Sequence, residues 1–230
     1  MPIKTTLTSD EITQMIALAP TLRDKVIISF MADTGCRVSE MLSVKLDDID
    51  FGKGIVLIPH LKVGLRKKCP KCGKSTGRRQ KFCPQCGIDI SNIEAEGTEE
   101  RTRLINIGED TLKLCQEYLA QRENKSDHLV PLTRQMVYYI LRQAAENIGL
   151  KGKVILNPET GKKHYVHPHS MRDSLAVDWL TYDDSAEGQK TLQQHLGHKR
   201  FETTARYFKL TLSQVQKMSD DVRRHRFGKG

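Results

Sequence analysis

Apolar residues recur three or four positions apart along most of this chain, which is the spacing of an amphipathic helix. One such face carries Leu112, Cys115 and Leu119. Before another helical segment, Thr8 and Glu11 form the pattern of a capping box. The pattern predicts helices near residues 9–19, 21–34, 37–42, 109–123, 133–147, 169–180, 187–197 and 212–224.

Two short segments have the β-branched character of strands instead. They lie at residues 54–59 and 102–107, and they are typical of the two partners of a hairpin. A cysteine-containing segment separates them, which predicts an insertion at the tip of that hairpin. The fold class expected is therefore mainly α with a small antiparallel β-sheet (α+β).

Four of the six cysteines stand in two matched CxxC pairs within this insertion. Cys69 pairs with Cys72, Cys83 pairs with Cys86, and a glycine follows each pair. A CxxC turn presents two thiolates to one ion, and Zn²⁺ prefers four such ligands in a tetrahedron. The spacing predicts one structural zinc ion with no open coordination position. Two disulfides, or four free thiols in a loop, are the alternatives.

The formal net charge of +9 is concentrated in one stretch. Residues 62–81 contain nine Lys and Arg and no Asp or Glu, and outside them the two signs of charge balance. Such a block indicates a polyanion as partner, and a solvated loop is the alternative. The candidate DNA contacts in this block are Arg66, Lys67, Lys68, Arg78, Arg79 and Lys81.

Length and composition narrow the possible domain organisation and cellular location of the protein. A chain of 230 residues allows one domain with a decoration, or two small domains. Hydrophobic residues make up 38% and charged residues 28%, as in soluble globular proteins. The sequence has no apolar run of membrane-spanning length and no signal-peptide pattern, so we expect a cytoplasmic protein without a membrane partner. Cys36 and Cys115 stand alone in apolar surroundings, which is typical of core residues.

A glycine turn late in the chain carries the most informative motif. The helix predicted up to Gly197 ends at the residue that adopts a left-handed backbone at least cost. His198 projects from that turn and Tyr207 follows nine positions later, so the two side chains could meet one ligand. Segment 195–207 resembles the last active-site box of the tyrosine recombinases, the phage-integrase superfamily.

Other boxes of that family stand in the expected order. Segment 34–40, with the sequence TGCRVSE, resembles the first box and contains Arg37. His169 and Arg172 resemble the second box, and a spacing of three puts them on one helical face. The resemblance implies the catalytic-domain fold of this family, with a zinc ribbon inserted in its β-hairpin.

The family also uses a lysine on the hairpin that follows the first box. Lys62 is the candidate here, and Lys67 and Lys68 are rivals because the cysteine insertion distorts the alignment at this point. The resemblance implies that this lysine protonates the leaving 5′-oxygen of DNA. Lys62 is equally suited to be one more phosphate-contacting cation.

The resemblance also implies how the remaining residues act on DNA. Tyr207 would attack the scissile phosphodiester and form a 3′-phosphotyrosyl link, while His169 would accept its proton. Arg37, Arg172 and His198 would neutralise the charge that develops on the phosphoryl oxygens. Catalysis would need neither a metal nor a nucleotide, because the phosphotyrosyl link conserves the bond energy for religation.

At the level of the whole protein, the resemblance implies a site-specific recombinase or integrase. It would bind double-stranded DNA as a homotetramer on two synapsed sites, at the nucleoid of a prokaryotic or mobile-element host. The catalytic domain is expected at 1–62 and 99–230, the zinc ribbon at 63–98, and the family's N-terminal core-binding domain is expected to be absent. The alternatives are a non-catalytic zinc-ribbon DNA-binding regulator and an enzyme like a type IB topoisomerase or a telomere resolvase.

Overall fold

A computed structural model describes residues 4–59, 66–95, 102–157, 160–198, 200–205 and 207. The chain divides into two compact units, one formed by Met1–Ile58 with Leu104–Gly230 and the other by Pro59–Arg103. We call the first the helical unit and the second the cysteine unit. The cysteine unit contains the insertion that the sequence predicts, and its limits lie a few residues outside the predicted ones.

The described part of the helical unit is built mainly of α-helices. Except for the last and shortest helix, their bounds agree with the predicted helices to within about two residues. The predicted helix at 212–224, with its apolar residues Leu212, Val215 and Met218, lies outside the described residues. The helices are α1 (Ser9–Ala17), α2 (Leu22–Thr34), α3 (Val38–Ser43), α4 (Glu109–Gln121), α5 (Arg134–Asn147), α6 (Pro168–Tyr182), α7 (Ala186–Leu196) and the short α8 (Glu202–Ala205).

Local hydrogen bonds explain why several helices begin where they do. The Thr8 hydroxyl accepts from the backbone N–H of Glu11, and the Glu11 carboxylate accepts from the N–H of Thr8, which completes the predicted capping box of α1. The Thr21 hydroxyl accepts from the N–H of Asp24 at the start of α2. Thr133 caps α5 in the same way.

The strands are short and antiparallel. The predicted hairpin strands lie next to each other in a three-stranded sheet of order β1-β2-β5, and the two smaller sheets are the pairs β3-β4 and β6-β7. The strands are β1 (Ile49–Asp50), β2 (Ile55–Pro59), β3 (Arg66–Lys68), β4 (Ser75–Gly77), β5 (Thr102–Asn106), β6 (Ile155–Leu156) and β7 (Lys163–His164).

Helix α2 forms the centre of the helical unit. Its central residues Val26, Ile27 and Phe30 are fully buried, and it packs against α1, α4, α5 and α6. Cys36 and Cys115 are also fully buried, as the sequence predicts. A separate apolar cluster joins α6 and α7 to the segment that follows α8. Among the residues that the structure describes, none of the helices combines the length and apolarity needed to cross a membrane.

Candidate active site and metal centre

Arg172 of α6 is the hub of the candidate active site. Only 2% of this residue is exposed. One guanidinium nitrogen, Nη1, donates to the Gly35 carbonyl at 2.6 Å. The other, Nη2, donates to the Leu196 carbonyl at 2.5 Å and lies 2.8 Å from Nε2 of His198. The guanidinium therefore joins the end of α2, the end of α7 and the turn that follows α7.

The glycine of the first box allows this close approach. Gly35 ends α2 with a φ of 58°, in the left-handed region that favours glycine. A Cβ at this position would lie 2.6 Å from Cδ2 of Leu175 and 3.0 Å from Cδ2 of Leu196. The preceding carbonyl, that of Thr34, accepts from Nε2 of His195 at 3.1 Å. The first and last boxes of the sequence are thus joined through backbone carbonyls.

His198 and Tyr207 meet at this hub. Gly197 ends α7 in the left-handed conformation, and the backbone N–H of His198 donates to the Gln193 carbonyl at 3.0 Å. Nδ1 of His198 lies 2.9 Å from the hydroxyl of Thr204. The rings of His198 and Tyr207 are stacked, with centroids 6.1 Å apart and an interplanar angle of 19°. Tyr207 is fully buried in the apolar cluster of α6 and α7.

Arg37 is the N-cap residue of α3, two positions after Gly35. Its Nη1 forms an ion pair with the Glu40 carboxylate at 2.7 Å, and its backbone N–H donates to the other carboxylate oxygen at 3.0 Å. The Glu40 side chain is 2% exposed, whereas that of Arg37 is 19% exposed. A buried carboxylate therefore fixes a partly accessible guanidinium, which explains why the first box contains both residues.

His169 lies exposed in the first turn of α6, and its neighbour His167 is a residue that sequence reasoning missed. Nδ1 of His167 accepts from the backbone N–H of Ser170 at 3.2 Å and so caps α6. The ring of His167 packs edge-on against that of His169, with centroids 5.9 Å apart. Burial lowers the pKa of His167 below its usual value, against the opposing effect of the Asp173 carboxylate.

A cleft of about 790 Å³ beside this turn was also missed by sequence reasoning. The guanidinium of Arg142 lies 4.1 Å from the ring centre of Tyr165 inside it. The sequence predicts only a loop at 149–168, although its Lys-Lys-His-Tyr run signals a basic and aromatic surface. The lining residues are Tyr138, Tyr139, Arg142, Lys153, Lys162, Lys163, His164, Tyr165, Val166 and His167.

The candidate lysines differ in their placement. Lys62 lies outside the described residues. The Lys67 ammonium donates to the carbonyls of Ile90 and Ser91 at 2.8 and 3.0 Å, and this residue is only 8% exposed. The Lys67 ammonium therefore has hydrogen-bond acceptors within the cysteine unit. Lys68, in contrast, is exposed. The other candidate DNA contacts, Arg66, Arg78, Arg79 and Lys81, are exposed.

The four paired cysteines converge in the cysteine unit. All four sulfur atoms lie within 4.8 Å of one another, and the Cys69–Cys86 and Cys72–Cys83 sulfurs are 3.5 Å apart. A disulfide would bring two sulfurs to about 2.05 Å. Sulfurs bound to one tetrahedral zinc at about 2.3 Å lie about 3.8 Å apart. The cluster therefore has dimensions that suit a single metal ion.

The backbone of the two cysteine turns is repeated. The N–H of Gly73 donates to the Cys69 carbonyl and that of Gly87 to the Cys83 carbonyl, both at 2.9 Å. Burial acts to raise the pKa of the Cys83 thiol, but backbone N–H donors of Cys86 and Gln85 outweigh it and lower this pKa to about 6. The pKa of Cys69 is lowered in the same manner. At Cys72 a backbone donor of Lys74 is outweighed by burial and by the three other cysteines, which raise the pKa to about 12. Thiolates are the form in which cysteine binds metals.

Comparison with known proteins identifies the family. The chain matches the model of the phage integrase family over residues 5–81 and 84–213, so it belongs to that family. It is 25% identical to tyrosine recombinase XerA of Pyrococcus horikoshii over 210 residues, which cover 91% of this chain and 58% of that protein. It is 27% identical to tyrosine recombinase XerC of Staphylococcus epidermidis over 203 residues, covering 86% and 52%. The chain thus spans somewhat more than half the length of these relatives.

Solved structures agree on the fold. A crystal structure of XerA recombinase has a TM-score of 0.64 with this chain at 21% identity, covering 97% of this chain and 64% of that one. A post-cleavage complex of XerH site-specific recombinase with a palindromic difH substrate has a TM-score of 0.60 at 16% identity, covering 95% and 53%. The expected catalytic-domain fold of the tyrosine recombinases is therefore confirmed.

Proposed function

We propose that this chain cleaves and rejoins double-stranded DNA as a site-specific recombinase, through a 3′-phosphotyrosyl intermediate. The observation that carries the proposal is the convergence of Arg172, from the second box, with His198 and Tyr207 of the last box. A buried arginine, held by carbonyls and by a histidine ring nitrogen, provides a cation for one phosphate, and the tyrosine beside it provides a nucleophile.

In this mechanism Tyr207 is the nucleophile. A phenol has a pKa near 10 and needs a base, a role that we give to the exposed His169. Arg172 and Arg37 bind the phosphoryl oxygens, because a guanidinium offers several fixed donors to developing negative charge. Since Tyr207 is buried in the described structure, its side chain must move outward before it attacks DNA.

The leaving 5′-oxygen takes its proton from a lysine, and Lys62 remains our candidate. The exposed Lys68 is the rival that suits this role better than Lys67, whose ammonium already donates to two carbonyls. No metal or nucleotide enters these steps. They use only the charges and protons of the chain and its substrate.

We further propose that Cys69, Cys72, Cys83 and Cys86 hold one structural zinc ion. The separations of the four sulfur atoms support this choice. Its role would be to hold the cysteine unit together, because the buried apolar residues there include only one large aliphatic, Ile90, among the residues described.

DNA would contact two basic surfaces. One is the exposed set Arg66, Lys68, Arg78, Arg79 and Lys81 of the cysteine unit, and the other is the basic cleft beside α5. Contacts of this kind neutralise phosphates and give salt-dependent affinity with little base specificity. We also propose the family's working assembly, a homotetramer on two synapsed sites, acting on DNA in the cytoplasm at the nucleoid.

Covalent trapping tests the catalytic proposal. Wild type, Tyr207→Phe and Tyr182→Phe are incubated with sheared genomic DNA of the source organism, denatured, and assayed for DNA that stays bound to protein. Tyr182 is 95% exposed and serves as the matched control. We expect adducts from wild type and Tyr182→Phe only. An adduct from Tyr207→Phe, or none from wild type, would contradict the proposal, and relaxation of supercoiled DNA without site preference would indicate a topoisomerase.

The role of the cysteine unit in DNA binding is tested by the slope of the logarithm of the DNA-binding constant against the logarithm of the salt concentration. Replacing Arg78, Arg79 and Lys81 by Gln removes three exposed cations and should reduce the slope by up to about three. Lys67→Gln is the control, since its buried ammonium should make no phosphate contact. An unchanged slope in the triple variant would remove this surface from the DNA interface and leave protein contact as its role.

A further inference from the structure

We infer that Thr204 is a positioning residue, which holds the His198 ring with its hydrogen on Nδ1. The inference rests on the proposed function and adds a residue to it. Thr204 belongs to α8, between the glycine turn and the nucleophile. It is completely buried, and its backbone N–H donates to the Phe201 carbonyl at 2.8 Å.

The hydrogen-bond partners of His198 determine its tautomer. An arginine guanidinium has only donors, so Nη2 of Arg172, 2.8 Å from Nε2 of His198, must donate to that nitrogen. Nε2 therefore carries no hydrogen. In a neutral imidazole the hydrogen is then on Nδ1, which lies 2.9 Å from the Thr204 hydroxyl and donates to it.

This arrangement orients the arginine as well as the histidine. Thr204 holds one end of the ring and Arg172 the other, while Tyr207 is stacked on its face. Turning the ring by 180° would exchange nitrogens for carbons and lose both hydrogen bonds. The Thr204 hydroxyl thus keeps an acceptor facing the guanidinium that we propose binds the scissile phosphate.

Two substitutions separate the hydroxyl from the volume of the side chain. Thr204→Val removes the hydroxyl and keeps the shape, whereas Thr204→Ser keeps the hydroxyl. The first measurement is the ¹⁵N NMR spectrum of histidine-labelled full chain without DNA, with the His198 signals assigned by their loss in His198→Asn. We expect the Nδ1–H tautomer in wild type and Thr204→Ser, and a shift toward Nε2–H in Thr204→Val.

The second measurement is the rate of covalent adduct formation on sheared genomic DNA. We expect Thr204→Val to lower that rate by roughly tenfold to a hundredfold with unchanged DNA affinity, and Thr204→Ser to recover most of it. A Thr204→Val protein that folds and keeps the wild-type rate and tautomer would overturn the inference. An Nε2–H signal for His198 in the wild type would also overturn it. If the wild-type protein forms no adduct, the proposed function fails. The tautomer of His198, which is measured without DNA, still decides whether Thr204 positions the ring.

Discussion

Arg172 is the residue on which the proposed catalytic geometry depends most. Its guanidinium donates to carbonyls at the ends of two helices and to His198, and it is almost fully buried. A lysine ammonium has the same charge, but it is a single point on a flexible stem and cannot reach acceptors on three sides. The fork of the guanidinium, and not its charge alone, holds the site together.

We therefore predict that Arg172→Lys abolishes the covalent DNA adduct and lowers the free energy of unfolding by about 1–3 kcal/mol, because buried carbonyls lose their donors. Urea unfolding and adduct trapping measure the two effects. Arg122→Lys is the control, since this arginine also donates to backbone carbonyls, those of His128 and Leu129, but belongs to neither proposed DNA surface. It should lose stability and keep the wild-type adduct yield. Wild-type stability and adduct yield in Arg172→Lys would contradict this account.

The glycine of the first box gives a second prediction at this scale. Gly35→Ala should destabilise the helical unit by clearly more than Gly149→Ala. Both positions have left-handed backbones, with φ of 58° and 88°, so both substitutions cost roughly 1–2 kcal/mol of backbone strain. Only at Gly35 would the new Cβ also meet Leu175, at 2.6 Å, whereas nothing lies within 4 Å at Gly149. Equal losses of unfolding free energy in the two variants would show that close packing at Gly35 is unimportant.

At the scale of elements, the start of α6 is sensitive to pH. His167 caps this helix only through an unprotonated Nδ1, and burial lowers its pKa. A lowered pKa in the folded state means that the stabilisation is complete above the ordinary histidine pKa of about 6.5. It is lost as the pH falls through the lowered value. The same helix start carries His169, the proposed base.

We predict that acid weakens the wild type more than His167→Asn. Asparagine caps a helix without titrating, so this variant should lose less unfolding free energy below about pH 6.5 than wild type does, by up to about 1 kcal/mol. Unfolding measured in urea from pH 5 to 8 tests this. The control is His128→Asn, which removes a partly exposed histidine between α4 and α5. Parallel pH profiles for wild type and His167→Asn would exclude a role for the cap.

The elements that could be predicted from the sequence are those with explicit local signals. Thr8 with Glu11 marks the start of α1, and Gly35 and Gly197 mark the ends of α2 and α7. The strands β1, β6 and β7 have two residues each, too few to show any period, so they could not be predicted. The basic cleft could not be predicted for another reason: it forms where α5 meets a hairpin that the sequence presents as a loop.

At the scale of the whole molecule, the two units have different sources of stability. The helical unit has a large apolar core around α2. The described core of the cysteine unit consists of cysteines with Ile90 and the partly buried Ile93. Such a small core cannot offset the loss of chain entropy, so this unit should depend on its metal.

We predict that chelation unfolds the cysteine unit and leaves the helical unit folded. One zinc per chain should be lost, four thiols should become reactive to iodoacetamide, and the main thermal transition should persist. Cys115 is an internal control, because burial raises its pKa to about 12 and should keep it unreactive. Loss of the main transition on chelation, or absence of bound zinc in protein purified without chelator, would contradict the prediction.

Some features of the candidate site could be predicted from the sequence, and others could not. The order of Arg37, Arg172, His198 and Tyr207 was readable, because a motif preserves residue types and spacing. Their mutual distances were not, since Arg172 meets Gly35 across 137 positions of sequence. The roles of Glu40, His167 and Thr204 also depend on such contacts and became apparent only in the fold.

The most direct test of the central claim is to find which atom of the protein becomes attached to DNA. Trapped adduct is digested with nuclease and protease, and the peptide that carries the remaining nucleotide is identified by mass spectrometry. We predict a nucleotide 3′-phosphate on the hydroxyl of Tyr207 and a free 5′-hydroxyl on the released strand. A nucleotide on Tyr138, Tyr139 or Tyr182, or a 5′-phosphate link, would contradict the proposed mechanism.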